Sequence, residues 1–113
     1  MITLRSKKRK PTHPGAIIRE DILPALGITQ TELANRLGVS RRTVSQILNE
    51  QRPLTTDMAI RLAHFLDTTP ESWLNMQQTL DIWLLESLNA NKYEKIKKVS
   101  NNDNNPAYKA HQH

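Results

Sequence analysis

Between residues 13 and 91, apolar side chains recur at steps of three, four and one, the spacing of helices with one buried face. Five helices and no strand follow from that pattern. The first begins at Pro14, a residue favoured at a first helical position, turns Ile17, Ile18 and Ile22 inward, and is limited by Pro24. The second opens on Thr29 with Glu32 three residues later, a capping box, and carries Leu33, Ala34 and Leu37 before Gly38 supplies a left-handed end. The third starts from the cap Ser40 and buries Val44, Ile47 and Leu48. The fourth starts near Thr55 to Asp57 and buries Met58, Ala59, Leu62, Phe65 and Leu66. The fifth has Thr69 as cap and Pro70 at its first position, with an apolar stripe of Trp73, Met76, Leu80, Trp83, Leu84 and Leu88.

The second and third helices carry more than amphipathicity. Ala34 is small where two helices must cross closely, Gly38 and Val39 fill a turn of a few residues, and Val44 and Ile47 point back at the preceding helix. These features at these spacings, between two cap signals, predict a DNA-binding helix-turn-helix. Taking the buried positions out of the third helix leaves Arg41, Arg42, Ser45, Gln46 and Asn49 as one continuous polar face, free of acid until Glu50. Arginine matches the O6/N7 edge of guanine, and Gln or Asn the N6/N7 edge of adenine. These five are the candidate base readers. Gln30 at the positive end of the second helix, Thr43 in the first turn of the third and Arg52 in the loop beyond it are candidate phosphate contacts, setting register rather than sequence.

Charge sharpens the domain limits. Residues 1–12 hold five Lys/Arg and no acid, residues 13–91 six Lys/Arg against nine Asp/Glu, and residues 92–113 five Lys against two acids. The basic balance therefore belongs to the ends, and the helical middle is slightly acidic. Residues 1–12 read as a basic flexible arm, and residues 92–113 as a polar tail, largely disordered, too poor in apolar surface to offset the entropy of ordering. Lys92 to Ser100 extend the last helix raggedly at most. The folded domain is placed at 13–91. The absence of cysteine excludes disulfides and Cys-zinc chemistry. No apolar run approaches a membrane span, and no apolar segment follows the basic N-terminus as in a secretory signal. A cytoplasmic protein is expected.

The stretches HPGAII, TQTELANRLGVSRRTVSQILN and LTTDMAIRLAHFLDTTPESWLNMQQTLDIW together resemble the HigA (VapI-like) antitoxins, members of the phage-repressor-like, Xre-type helix-turn-helix proteins. The likeness covers residues 13–84. Its helix-turn-helix part is shared with many repressors, whereas His13-Pro14-Gly15 and the run Pro70 to Asn75 are more specific to HigA-like proteins. The resemblance implies an all-α, five-helix phage-repressor-like domain that dimerises and represses its own operon. It also implies a partner toxin of the HigB type, a RelE-like mRNA interferase. In such repressors the positions of Arg41, Arg42 and Gln46 face bases, and those of Gln30, Ser40 and Thr43 meet phosphates. Three departures stand out: Ala16 occupies a position where the family often has Glu, Glu50-Gln51 replaces a frequent Gly-Lys, which removes a helix terminator and a phosphate-binding lysine, and the extended ends 1–12 and 92–113 fall outside the match.

Helix-turn-helix proteins bind double-stranded DNA as two-fold dimers on palindromic half-sites about 34 Å apart. The fifth helix is the expected dimer element, through Trp73, Leu80, Trp83 and Leu84. A stand-alone Xre-type repressor without a toxin is the alternative function. A pure protein-interaction module is disfavoured by the acid-free face of the third helix. Enzyme chemistry is not expected: His13 and His64 belong to no Ser/His/Asp set, metal pair or phosphate-cradling loop, and His111 and His113 lie on the polar tail. No cofactor or metal is implied. The basic arm has three readings: entry into an adjacent DNA groove, folding onto a toxin, or solubilisation.

Overall fold

The computed structural model describes residues 9–99. Among these residues there are six helices and no strand. The first helix, α1, is one continuous rod over residues 14–26, made of an α-turn Pro14–Ile17, a π-turn Ile18–Ile22 and a second α-turn Leu23–Leu26. Pro24 thus does not end α1, contrary to the expectation from sequence. A proline there offers no N–H to the carbonyl four residues back, and its ring crowds that carbonyl in a regular α-helix. One wide turn, in which the Leu23 N–H donates to the Ile18 carbonyl, carries the helix past it. The rod ends instead at Gly27, whose φ of 66° lets the Ile28 N–H close back on the Leu23 carbonyl.

Next come α2 (Gln30–Leu37), α3 (Arg41–Leu48), α4 (Thr56–Leu66), α5 (Pro70–Leu88) and the short α6 (Ala90–Glu94), which the apolar pattern did not resolve as a separate element. Hydroxyl caps start four of them: Thr29, Ser40, Thr55 and Thr69 each accept the N–H three residues on. The capping box of α2 is complete in both directions, at 3.1 Å each way.

The core gathers Ile18 from α1, Leu33 and Leu37 from α2, Val44, Ile47 and Leu48 from α3, and Met58, Ala59 and Leu62 from α4, closed by Trp73 from α5. Here α2 packs on α3, α4 on α5, and the start of α1 on α3. Gln77 is the polar exception. Its carbonyl accepts the Leu54 N–H at 2.8 Å and its amide donates to Asp81 at 2.9 Å, so a buried amide anchors the loop between α3 and α4 without an unmet partner.

The stripe of α5 divides differently from the expected dimer set. Trp73 and Leu80 are 5% and 3% exposed and belong to the core of the single chain. The Trp73 indole N–H donates to Thr68 Oγ1 at 2.9 Å, so both its ring and its polar edge are satisfied within the monomer. These two residues therefore offer no face to a second copy. Trp83 and Leu84 are half-buried, and the apolar surface left open lies beside them: Ile82, Leu85 and Leu88 are exposed, Leu88 at 77%.

Candidate nucleic-acid interface

The reading unit is α2, a turn, and α3. The turn needs glycine at one point: Gly38 has φ 73°, and the Val39 N–H returns to the Ala34 carbonyl at 3.0 Å. From outside the unit, Arg61 of α4 donates to the Leu37 carbonyl at 2.8 Å while its Nε holds Asp57 at 2.8 Å. Arg19 of α1 donates to the Leu48 carbonyl and to Glu20 at 2.7 Å. Both arginines thus put a positive charge at a helix C-terminus, where free carbonyls and the helix dipole favour it. The Arg19 guanidinium is held above its ordinary pKa, chiefly by the Glu20 hydrogen bond with Glu50 adding to it.

After Leu48 the chain turns through Asn49 and Glu50. Glu50 has φ 60°, the left-handed geometry that glycine adopts freely, and the Gln51 N–H closes on the Gln46 carbonyl at 2.8 Å. The helix terminates with the geometry glycine would give, and a glutamate bears the strain.

On the polar face, Arg41 and Arg42 are exposed in the first turn of α3. Ser45 and Gln46 are half-buried at its middle, and Asn49 is its exposed C-cap rather than part of the helix. Asn49 Nδ2 donates to Ser45 Oγ at 3.4 Å. Ser40 Oγ accepts the Thr43 N–H at 3.0 Å and its hydroxyl donates to Thr43 Oγ1 at 2.9 Å. Arg52 reaches back over the face, with Nη1 3.3 Å from Gln46 Oε1 and 3.5 Å from Thr43 Oγ1. Ser40, Thr43, Gln46 and Arg52 therefore form one connected polar chain along α3. Gln30 is half-buried at the first position of α2.

The electrostatics of this face run against the stability of the helix. Helix N-termini favour anions, yet α3 begins with two arginines and has no acid in its first turn. An arrangement that folding alone disfavours becomes favourable when a phosphate or an electronegative base edge lies against it.

Sequence patterning passed over the contact that seats α1 on this unit. His13 is 7% exposed and caps α1, with Nδ1 accepting the Gly15 N–H at 2.8 Å. Its Nε2 lies 3.2 Å from the carbonyl of Arg52, thirty-nine residues along the chain. Gly15 allows the approach: a Cβ there would stand 1.9 Å from the Ile47 carbonyl oxygen. The signal was the His-Pro-Gly triplet, which reads as a helix start in sequence and is also a point of contact. Arg19 and Arg61, the two braces, are not singled out by the spacing of apolar and polar positions. His64 is exposed on α4, and no group of three or more metal-capable side chains forms among the described residues. His111 and His113, like residues 1–8 of the basic arm and 100–113 of the tail, lie outside the described residues. No helix among those described is long and apolar enough to cross a membrane.

A short capped helix, a glycine turn and a second helix with an arginine-led polar face define a DNA-binding helix-turn-helix regulator. Residues 18–74 match the helix-turn-helix family model, and the chain belongs to that family, in its Xre-type branch. An uncharacterized HTH-type transcriptional regulator of Haemophilus influenzae is 46% identical over 78 residues, covering 69% of this chain and 73% of the relative. Antitoxin HigA-1 of Vibrio cholerae is 42% identical over 80 residues, covering 71% and 75%. Among solved structures, antitoxin GraA in complex with its operator is 38% identical, with a TM-score of 0.76, covering 81% of this chain and 94% of that one.

Proposed function

We propose that this protein is the antitoxin of a HigB/HigA-type toxin–antitoxin system: a dimeric, sequence-specific repressor of its own operon that neutralises a RelE-like mRNA interferase. The observation that carries the DNA half is the first turn of α3, where Arg41 and Arg42 meet the positive end of a helix with no acid to offset them. Arg41, Arg42, Ser45, Gln46 and Asn49 read bases. Gln30, Ser40, Thr43 and Arg52 fix register on phosphates. The operator-bound GraA antitoxin and the HigA-1 relative support the DNA-binding and antitoxin reading, not the roles of single residues. Trp83 and Leu84, with the exposed Ile82, Leu85 and Leu88 around them, form the dimer face on α5. The acidic balance of residues 13–91 suits a basic toxin.

The test uses the full chain and a duplex from the DNA upstream of its own gene, read by fluorescence anisotropy. Affinity falls steeply with salt as neutralised phosphates release counterions. Arg41→Ala and Gln46→Ala relax discrimination at particular base pairs, whereas Arg52→Ala weakens every sequence as a lost phosphate contact does, with further loss only at the pairs that Gln46 reads. Equal loss on every sequence for all three variants overturns the base-reading assignment. The toxin half is tested by co-expression with the product of the adjacent reading frame: relief of its growth arrest and co-purification support it. If neither occurs, the protein is a stand-alone Xre-type repressor, the reading favoured by its likeness to the Haemophilus influenzae regulator.

A further inference from the structure

We propose that His13 is a positioning residue for DNA reading: its imidazole bridges the start of α1 to the loop after α3 and so fixes Arg52 and, through it, Gln46. The proposal rests on the DNA-binding function above and deepens it.

The chemistry of the ring follows from its two partners. The Gly15 N–H is a donor, so Nδ1 presents a lone pair to it at 2.8 Å. The Arg52 carbonyl is an acceptor, so Nε2 carries the proton and donates at 3.2 Å. The ring is therefore the neutral Nε2–H tautomer, and it is buried. Capping alone does not call for histidine. Hydroxyls at Thr29, Ser40, Thr55 and Thr69 cap the other long helices. What the imidazole adds is a second polar atom on the far side of the ring, facing the Arg52 backbone. Gly15 makes the span possible by letting α1 approach the Ile47 carbonyl without a Cβ between them.

Beyond that anchor, the Arg52 side chain runs back to Gln46 Oε1 and Thr43 Oγ1. A guanidinium holds the Gln46 carbonyl end, leaving its amide N–H groups to donate and one oxygen lone pair to accept. Both are needed for a bidentate match to adenine. Without the anchor, the loop and the Arg52 side chain gain freedom, and Gln46 loses the partner that orients it.

The experiment compares His13→Asn, Gln46→Ala, Arg52→Ala and the His13→Asn/Arg52→Ala pair. The probe is a duplex that the full chain selects from a random-sequence library, with its single-base-pair variants. Asn keeps a strong helix cap but is too short to span to Arg52. The expected result is a melting temperature near that of the parent. Affinity for the selected duplex falls about three- to tenfold, with the loss concentrated at the base pairs that Gln46→Ala also relaxes. In the Arg52→Ala background, His13→Asn adds nothing further at those positions. Full selectivity in His13→Asn, or losses that simply add in the pair, overturns the proposal while leaving DNA reading intact. Undiminished discrimination in Gln46→Ala overturns the base-reading assignment and the proposal with it. A long-range 1H–15N spectrum of the unmodified protein tests the bridge without any substitution. It should show His13 protonated at Nε2 alone, and an Nδ1–H or doubly protonated ring contradicts the bridge.

Discussion

Replacing Gly15 by alanine adds one methyl group where the start of α1 meets the backbone of α3. The new Cβ would stand 1.9 Å from the Ile47 carbonyl oxygen and 2.7 Å from its carbon, against 3.4 Å or more for ordinary contact. Both atoms are backbone, so no side-chain rotation relieves the clash, and α1 must retreat from α3 by more than 1 Å. Overpacking of this kind costs about 1–3 kcal/mol. A backbone clash this deep falls in the upper part of that range, about 2–3 kcal/mol, and alanine in place of a helical glycine recovers about 0.5–1 kcal/mol, so the net loss is roughly 1–2.5 kcal/mol. For a domain of this size that lowers the melting temperature by roughly 4–20 °C. Thermal and urea unfolding followed by circular dichroism read the change. Gly27→Ala is the control, because a Cβ there meets nothing within 4 Å and only the φ of 66° opposes it. The retreat also draws His13 away from Arg52, so Gly15→Ala weakens DNA binding at temperatures where it remains folded. A Gly15→Ala protein as stable as the parent, with unchanged DNA affinity, would refute the claim that backbone contact at Ile47 seats α1 on the reading helix.

Three further substitutions probe separate parts of the molecule. Arg42→Glu places an acid in the first turn of α3, so the melting temperature holds or rises while DNA binding is lost; a matching loss of stability, seen by calorimetry, would mean the arginine serves the fold. Glu50→Gly relieves the left-handed strain at φ 60° and gains about 1 kcal/mol, a rise of roughly 4–8 °C in the melting temperature; a fall would show that the weak ion pair with Arg19 at 3.4 Å outweighs the strain. Leu85→Glu puts a charge in the exposed apolar face of α5 and shifts the protein to monomer in light scattering, with weaker operator binding; an undisturbed dimer places the interface elsewhere.

The helix-turn-helix was legible because each of its signals is local. Thr29 and Glu32 form their capping box within four residues, Gly38 ends its helix within one turn, and Val44, Ile47 and Leu48 declare one buried face by spacing alone. What the pattern missed depends on distant partners. Pro24 is the local exception: it looked like a stop because the π-turn Ile18–Ile22 just before it leaves no mark in hydrophobic spacing. Trp73 and Leu80 share a stripe with Trp83 and Leu84, and only the packing of α4 on α5 separates core from open surface. Gln77 sits in the same helix as a polar residue yet is buried, because Leu54 and Asp81 meet its two ends. The candidate base readers were found by subtracting buried positions from α3. Their links to Arg52 were not, since Arg52 approaches from a loop with no periodicity of its own.

The two arginine braces bear on how this fold can be reused. The terminal carbonyls of α2 and α3 are satisfied by Arg61 and Arg19, side chains from helices on either side of the reading unit in the chain. A peptide of residues 29–51 carries every signal that made the motif recognisable and neither cation that closes its helices. The reading unit is therefore not a cassette. Transplanting its specificity onto another scaffold means moving only the exposed positions of α3, with the host's own braces left in place.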